Sequence, residues 1–265
     1  MSYTQFPTPT DVMNDAHTVK DWVKWLRANN ITHDFLPAAS FACDLCGKPC
    51  GKRDDGVKWP LCYNCRAYVA YLDALVVGSY SFHAGLESLV GTYKDAYNGC
   101  PKDWKRLPLG AILWGIFHMH RQCIESALGD DPIFTWVPSD NTSRSFDHLE
   151  EIIRAVDGQF ENDPWDGGVI KRNRAVTRPE RNAVTPEAYE VVGEVQGRRV
   201  LLLDDLWTTG GSMVSAAAAL KAAGAAYVVG VVLGRQVNPA LSGHDELAKI
   251  VEPRDWRLND CALCP

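Results

Sequence analysis

The sequence predicts an α/β fold: a parallel β-sheet flanked by helices, with a small cysteine module ahead of it. Three observations lead there. The apolar runs "RRVLLLDD" (198–205) and "AYVVGVVLGRQ" (226–236) lack polar alternation and read as strands buried on both faces. Between them, "GSMVSAAAALKAAG" (211–224) reads as a helix that Gly224 can end, and strand–helix–strand succession marks a parallel sheet. Upstream, "FACDLCGKPCGKRDDGVKWPLCYNC" (41–65) is short, turn-rich and cysteine-dense, too small to build its own core.

The remaining elements follow in order. Residues 1–10 are polar, with Pro7 and Pro9, and predict no element. "DVMNDAHTVKDWVKWLRANN" (11–30) carries Val12, Val19, Trp22, Val23 and Leu26 near helical spacing and predicts a helix packed on the main domain. "AYVAYLDALVVGSYSF" (67–82) crosses from helix into strand; "ESLVGTYKDAY" (87–97) and "LGAILWGIFHMHRQCIESAL" (109–128) read as helices. "PIFTWVPS" (132–139) predicts a short strand, "SFDHLEEIIRAV" (145–156) an amphipathic helix, and "GGVIKRNRAV" (167–176) a strand entering a basic loop. The expected organisation is an N-terminal extension (1–40), a zinc-ribbon-like module (41–66) and an α/β domain with a cysteine tail (67–265).

Composition narrows the function classes. The 265 residues are 46% hydrophobic and 23% charged, ordinary for a large domain plus a small module. A net charge of −6 argues against a broad nucleic-acid surface, so an anion site has to be a local patch. The most apolar run, "LPLGAILWGIF" (107–117), has about half the ~20 residues of a membrane crossing. "MSYTQFPTPTD" has neither a basic n-region nor an apolar h-region, so a cytoplasmic location is expected. There the nine cysteines favour metal over a disulfide framework.

Cys43-x-x-Cys46 and Cys62-x-x-Cys65 are two knuckles separated by fifteen residues. Each can place two thiolates on one ion, and together they close a tetrahedral structural zinc site contributing on the order of 10 kcal/mol to folding. Cys50 competes with Cys46 but at a less usual spacing and reads as a bystander or as a thiol adjoining the ligands, and Cys100 and Cys123 as ordinary buried thiols. Cys261 and Cys264 in "NDCALCP" are a third such pair, open to three readings: a second metal with outside help, a share in the first site, or a free pair. A redox role for these pairs lacks the strand–helix context it needs.

Asp204 and Asp205 end a buried strand, at the edge where open α/β sheets bind ligands. Thr208, Thr209, Gly210, Gly211 and Ser212 then offer exposed amides and three hydroxyls at a helix start, a phosphate-binding combination. It is neither a Walker loop nor a GxGxxG turn. An anion loop behind two carboxylates suits a ligand with a phosphate at one end and vicinal hydroxyls beside it, such as ribose 5-phosphate. Lys171, Arg172, Arg174, Arg178 and Arg181 cluster in eleven residues of an otherwise acidic chain and suit pyrophosphate.

"VLLLDDLWTTGGS" (200–212) resembles the thirteen-residue phosphoribosyl pyrophosphate (PRPP) motif of type I phosphoribosyltransferases. With the cysteine module ahead of it, residues 41–236 resemble the ComF family of amidophosphoribosyltransferase-like proteins. The resemblance implies a type I phosphoribosyltransferase-like sheet that binds PRPP with Mg²⁺. It implies that Asp204 and Asp205 hold the ribose hydroxyls and that residues 208–212 hold the 5-phosphate. "WVPSDNTSRSFDHL" (136–149) matches the family's pyrophosphate loop at Val137, Pro138, Arg144 and Phe146 and departs at Ser145, Asp147 and His148. Arg181-Asn182 resembles its flexible catalytic loop. The implied catalytic set is Asp204, Asp205, Arg144 and Arg181, with Lys171, Arg172 and Arg174 also on PRPP.

The resemblance implies transfer of a phosphoribosyl group to an unspecified acceptor. Leu206-Trp207-Thr208 lacks the acid of some purine-salvage relatives, and Trp207 either faces a ring substrate or packs. The alternative is a non-catalytic PRPP sensor or adaptor, its zinc module contacting protein or single-stranded DNA. A homo-oligomer is compatible with the sequence but not specified by it.

Overall fold

The computed structural model describes residues 18–36, 41–82, 85–95, 104–141, 146–156, 165–177, 182–241 and 244–264. Helix α1 (Val19–Ala28) begins with a capping box: Thr18 accepts from the Asp21 amide, and Asp21 accepts from the Thr18 amide at 3.0 Å. Its buried Trp22 and Leu26 share a core with α4 (Arg106–Leu128), and Trp22, Trp25 and Trp104 cluster ring against ring.

The cysteine module ends in the one-turn helix α2 (Cys65–Tyr68), and the sheet begins with β1 (Ala74–Val77) and β2 (Tyr80–Ser81). Helix α3 (Leu86–Asp95), α4, strand β3 (Ile133–Trp136) and helix α5 (His148–Arg154) follow. Strands β4 (Ile170–Arg172) and β5 (Tyr189–Val191) form a separate antiparallel pair. The chain then completes the main sheet with β6 (Arg199–Trp207), helix α6 (Gly211–Ala222) and β7 (Tyr227–Gln236), and adds α7 (His244–Val251).

The main sheet is parallel in every pairing, in the order β1-β7-β6-β3, with β2 extending the β1 side of β7. The two longest apolar runs are its central strands. Pleating sorts their side chains onto two faces. Leu201, Leu203, Val229, Val231 and Leu233 join α1, α3, α4 and α5, whereas Val200, Leu202, Val228 and Val232 join α6, α7 and the cysteine module.

Two elements differ from the sequence reading. Strand β6 does not stop at the acid pair but runs on to Trp207, because β7 keeps pairing with it as far as Trp207 and Arg235. Helix α7 lies where the sequence predicts only a tail; Leu247, Ala248 and Val251 form its short buried stripe. No helix among the described residues is long and apolar enough to cross a membrane.

Candidate functional site

Strand geometry separates the two carboxylates. Successive side chains of a strand point to opposite faces. Asp205 therefore follows Leu203 toward α3 and α5, and Asp204 follows Leu202 toward α6. Asp205 is buried and forms an ion pair with Lys94 of α3. Its Oδ2 lies 2.7 Å from His148 Nε2, and its Oδ1 accepts from the Leu206 amide at 2.7 Å. Burial alone would raise its pKa, but Lys94 and His148 outweigh burial and hold the carboxyl ionised well below the usual range. Burial lowers the His148 pKa against the pull of Asp205; facing an ionised carboxylate, which only accepts, Nε2 is the donor of the pair.

Asp204 is half-buried, and Oδ1 accepts from the Asp205 amide at 2.9 Å. No cation forms an ion pair with it among the described residues. Burial, and then the Asp205 charge, push its pKa well above the carboxylate range. It faces a cleft of about 410 Å³ lined also by Asp205, Thr208, Ser212, Tyr189, Ser139 and Asp140. Both carboxylates line this cleft, and Asp204 is the one whose charge no ion pair among the described residues offsets.

The loop after β6 turns sharply into α6. Gly210 sits at φ +88° and caps the helix, and the Val214 amide bonds its carbonyl at 2.9 Å. A Cβ on Gly210 would lie 2.3 Å from Trp207 Cζ2. The first amides of a helix have no partner within it and carry partial positive charge; here they begin at the cleft lined by Thr208 and Ser212. Trp207 is buried and meets Tyr68 of the module edge-on, ring centroids 6.1 Å apart, so it packs beneath the loop. Gly210→Ala is expected to lower stability by about 1–2 kcal/mol from the left-handed backbone alone, with more from the clash. Chemical denaturation checks this.

A second cleft of about 690 Å³ adjoins the first, sharing Pro138, Ser139 and Asn141, and lies against β4 and the start of α5. Lys171 and Arg174 are exposed on its rim. Arg172 is placed differently. It is paired with Asp140, donates to Ala188 O at 2.7 Å and Val176 O at 3.1 Å, and lies 5.7 Å from the Tyr189 ring. Its guanidinium thereby ties the β4–β5 loop to the floor of the first cleft. Arg144 and Arg181, and Arg178 with them, lie outside the described residues.

In the cysteine module the donor atoms of Cys43, Cys46, Cys62 and Cys65 all lie within 4.8 Å of one another. The Cys62 amide donates to Cys43 Sγ at 3.4 Å, and Gly47, at φ +66°, lets its amide bond Cys43 O at 2.9 Å. Four clustered thiols match the soft, tetrahedral donor set of structural zinc. Cys50 stands outside the quartet; burial and the neighbouring Cys43 and Cys62 push its pKa up to about 12.

The module is wired to the loop that follows β6. Arg235 is buried; its Nε donates to Cys46 O at 3.0 Å and its Nη1 to Trp207 O and Thr208 O, both at 3.1 Å. Asn182, at φ +72°, accepts from Tyr68 Oη at 3.2 Å and from Asn64 Nδ2 at 3.1 Å. One cysteine-rich module therefore grips both the loop after β6 and the far end of the basic loop. Sequence reasoning missed Lys94, His148, Tyr189 and Arg235 as parts of this arrangement. Arg235 did carry a signal: an arginine ending a buried strand needs acceptors.

No protein-family model matches the chain. Its sequence is similar to ribose-phosphate pyrophosphokinases. It is 37% identical over 123 residues to the protein of Xanthomonas campestris pv. campestris, covering 40% of this chain and 36% of that protein. It is 34% identical over 149 residues to that of Xylella fastidiosa, covering 48% and 44%. The chain thus spans less than half the length of these curated relatives. Solved structures aligned to the fold include a phosphoribosyltransferase from Corynebacterium diphtheriae, at 17% identity and TM-score 0.32, covering 71% of this chain and 89% of that one. Another is phosphoribosylpyrophosphate synthetase from Mycobacterium smegmatis, at 18% identity and TM-score 0.29, covering 46% and 32%.

Proposed function

We propose that the protein binds PRPP with Mg²⁺ and transfers its phosphoribosyl group to an acceptor, releasing pyrophosphate. One observation carries the proposal: a carboxylate without an ion-pair partner among the described residues, Asp204, shares a cleft with the hydroxyl-rich start of α6. Distant relatives named for ribose phosphate and pyrophosphate support the same ligand class. The amides and hydroxyls of residues 208–212 would take the 5-phosphate. Asp204 would accept from the ribose hydroxyls, and Asp205, held by Lys94 and His148, would form the fixed wall beside it.

Lys171 and Arg174, with Arg144 and Arg181, would face the pyrophosphate; Arg172 would act by holding their loop. Breaking the anomeric C–O bond develops positive charge on the sugar and negative charge on the leaving group. Preorganised charges of both signs suit that step. Mg²⁺ fits the hard oxygen donors of substrate and Asp204, and when bound it neutralises pyrophosphate charge. With its cysteine module the arrangement is ComF-like, and its expected place is the cytoplasm.

The second reading, a PRPP-binding adaptor, has its own observation. Tyr63 is 88% exposed, and Val57, Trp59 and Val69, within or close after the module in sequence, are exposed as well. Lys58 pairs with Asp44 and Arg53 with Asp55, so this surface favours a protein partner over single-stranded DNA.

Calorimetric titration with PRPP and Mg²⁺, coupled to pyrophosphate detection against ammonia and a panel of bases, tests both. A parallel arm offers ribose 5-phosphate with MgATP. Binding with release of pyrophosphate is expected. Binding without release selects the adaptor, and absence of PRPP binding overturns both. Affinity is expected to fall as pH drops from neutrality toward the ordinary carboxylate value of 3.8, because Asp204 takes up its proton early. Binding would then expel that proton, making the measured heat depend on the buffer.

A further inference from the structure

Beyond α7 the chain forms no helix or strand from Glu252 to Cys264, yet it is held in place. Trp256 Nε1 donates to Gly78 O at 2.8 Å. Asp34 Oδ1 accepts from the amides of Arg257 at 2.6 Å and Leu258 at 2.9 Å. Leu258 presses on α4 at Gly115, where a Cβ would lie 2.9 Å from its Cδ1. These contacts bring Cys261 and Cys264 onto α4, where His120 and Cys123 stand three residues apart on one helical face.

The four side chains converge. Cys264 Sγ lies 3.5 Å from Cys261 Sγ, 3.6 Å from Cys123 Sγ and 3.5 Å from His120 Nδ1. All four donor atoms lie within 4.8 Å of one another. A tetrahedral ion with zinc–sulfur bonds of ~2.3 Å sets its sulfurs about 3.8 Å apart, whereas a disulfide needs ~2.05 Å. The Cys261 amide donates to Cys264 Sγ at 3.3 Å and the Leu263 amide to Cys261 Sγ at 3.4 Å. Such N–H···S bonds stabilise thiolates. His120 is buried, and Nδ1 is the ring nitrogen turned to the sulfurs.

We propose that His120, Cys123, Cys261 and Cys264 form a second structural zinc centre, binding one Zn²⁺ and stapling the C-terminal tail to α4. Three thiolates and an imidazole are a zinc donor set, and four protein ligands leave no open position for catalysis. The centre shares no residue with the Cys43–Cys65 module. Cys123, read from sequence as an ordinary buried thiol, becomes a ligand, and the third cysteine pair gains its missing partners.

Elemental analysis of the full chain, purified under reducing conditions, tests this. The expected result is two zinc ions per chain, falling to one in Cys264→Ser, in Cys123→Ser and, through the other site, in Cys62→Ser. Cobalt substitution of the wild-type protein is expected to give the overlaid spectra of a four-sulfur site and a three-sulfur, one-nitrogen site. Should the serine variants fail to fold, His120→Cys is expected to keep two metals while shifting the second cobalt component to a four-sulfur spectrum. One zinc per wild-type chain with only a four-sulfur cobalt spectrum overturns the proposal, as does a Cys261–Cys264 disulfide in the protein as purified.

Discussion

Asp204→Asn is expected to weaken PRPP binding about a hundredfold or more while leaving the fold intact or slightly more stable. Two charge-assisted hydrogen bonds to ribose hydroxyls would become neutral ones, a loss of roughly 3 kcal/mol. Stability moves the other way because the Asp204 charge is unfavourable in the folded state: burial and Asp205 raise its pKa. A raised acid pKa lowers stability progressively as pH climbs above the unfolded value of 3.8 and has no effect well below it. The gain in stability from Asp204→Asn is accordingly expected to be larger at pH 8 than at pH 5, and to vanish in strongly acidic solution. Calorimetric binding and denaturant melts at these two pH values check both signs.

Asp205→Asn is the contrasting control. It leaves Lys94 and His148 facing an amide in a buried setting, and removing one member of such a pair costs about 3 kcal/mol. Stability is expected to fall, and ligand affinity to fall as a consequence of the displaced strand end. Equal effects of the two variants on stability would refute the division of labour drawn from the pleat.

The second large effect is expected at the cysteine module. Cys62→Ser removes one of four clustered donors, and structural zinc sites contribute on the order of 10 kcal/mol. The module is expected to unfold, and the damage to travel. Arg235 would lose its Cys46 acceptor and, with it, its fixed hold on Trp207 and Thr208. Asn182 would lose Tyr68 and Asn64. Hydrogen exchange should therefore show the amides of residues 207–212 deprotected along with residues 41–68, and PRPP affinity should fall although no residue of the cleft was changed. A zinc-free variant with normal protection at 207–212 would show that the module is merely attached.

Much of the fold is legible because its signals are local. The runs at 198–205 and 226–236 are short, apolar at successive positions and rich in Val and Leu, as a strand buried on both faces requires; they form the central strands β6 and β7. The two knuckles announce their cluster through spacing alone. Helix α7 is less visible, since eight residues carry too few apolar positions to establish a period. The partners of Cys261 and Cys264 are invisible in the sequence because Cys123 lies 141 residues before Cys264 in the chain. His148 stands out only as a departure from a motif, and nothing local ties it to Asp205, 57 residues away.

The α/β class, the central strands, the cysteine quartet and the position of the acid pair ahead of a glycine-rich helix start can all be read from the chain alone. Each of these is written in residues that are neighbours along the chain. Long-range packing, by contrast, leaves Asp204 without an ion-pair partner among the described residues while Lys94 and His148 hold Asp205, makes Arg172 and Arg235 internal ties, and returns the tail to α4. The reason is physical: a pleat sends adjacent carboxylates to opposite faces, and what waits on each face is supplied by helices and loops from distant parts of the chain.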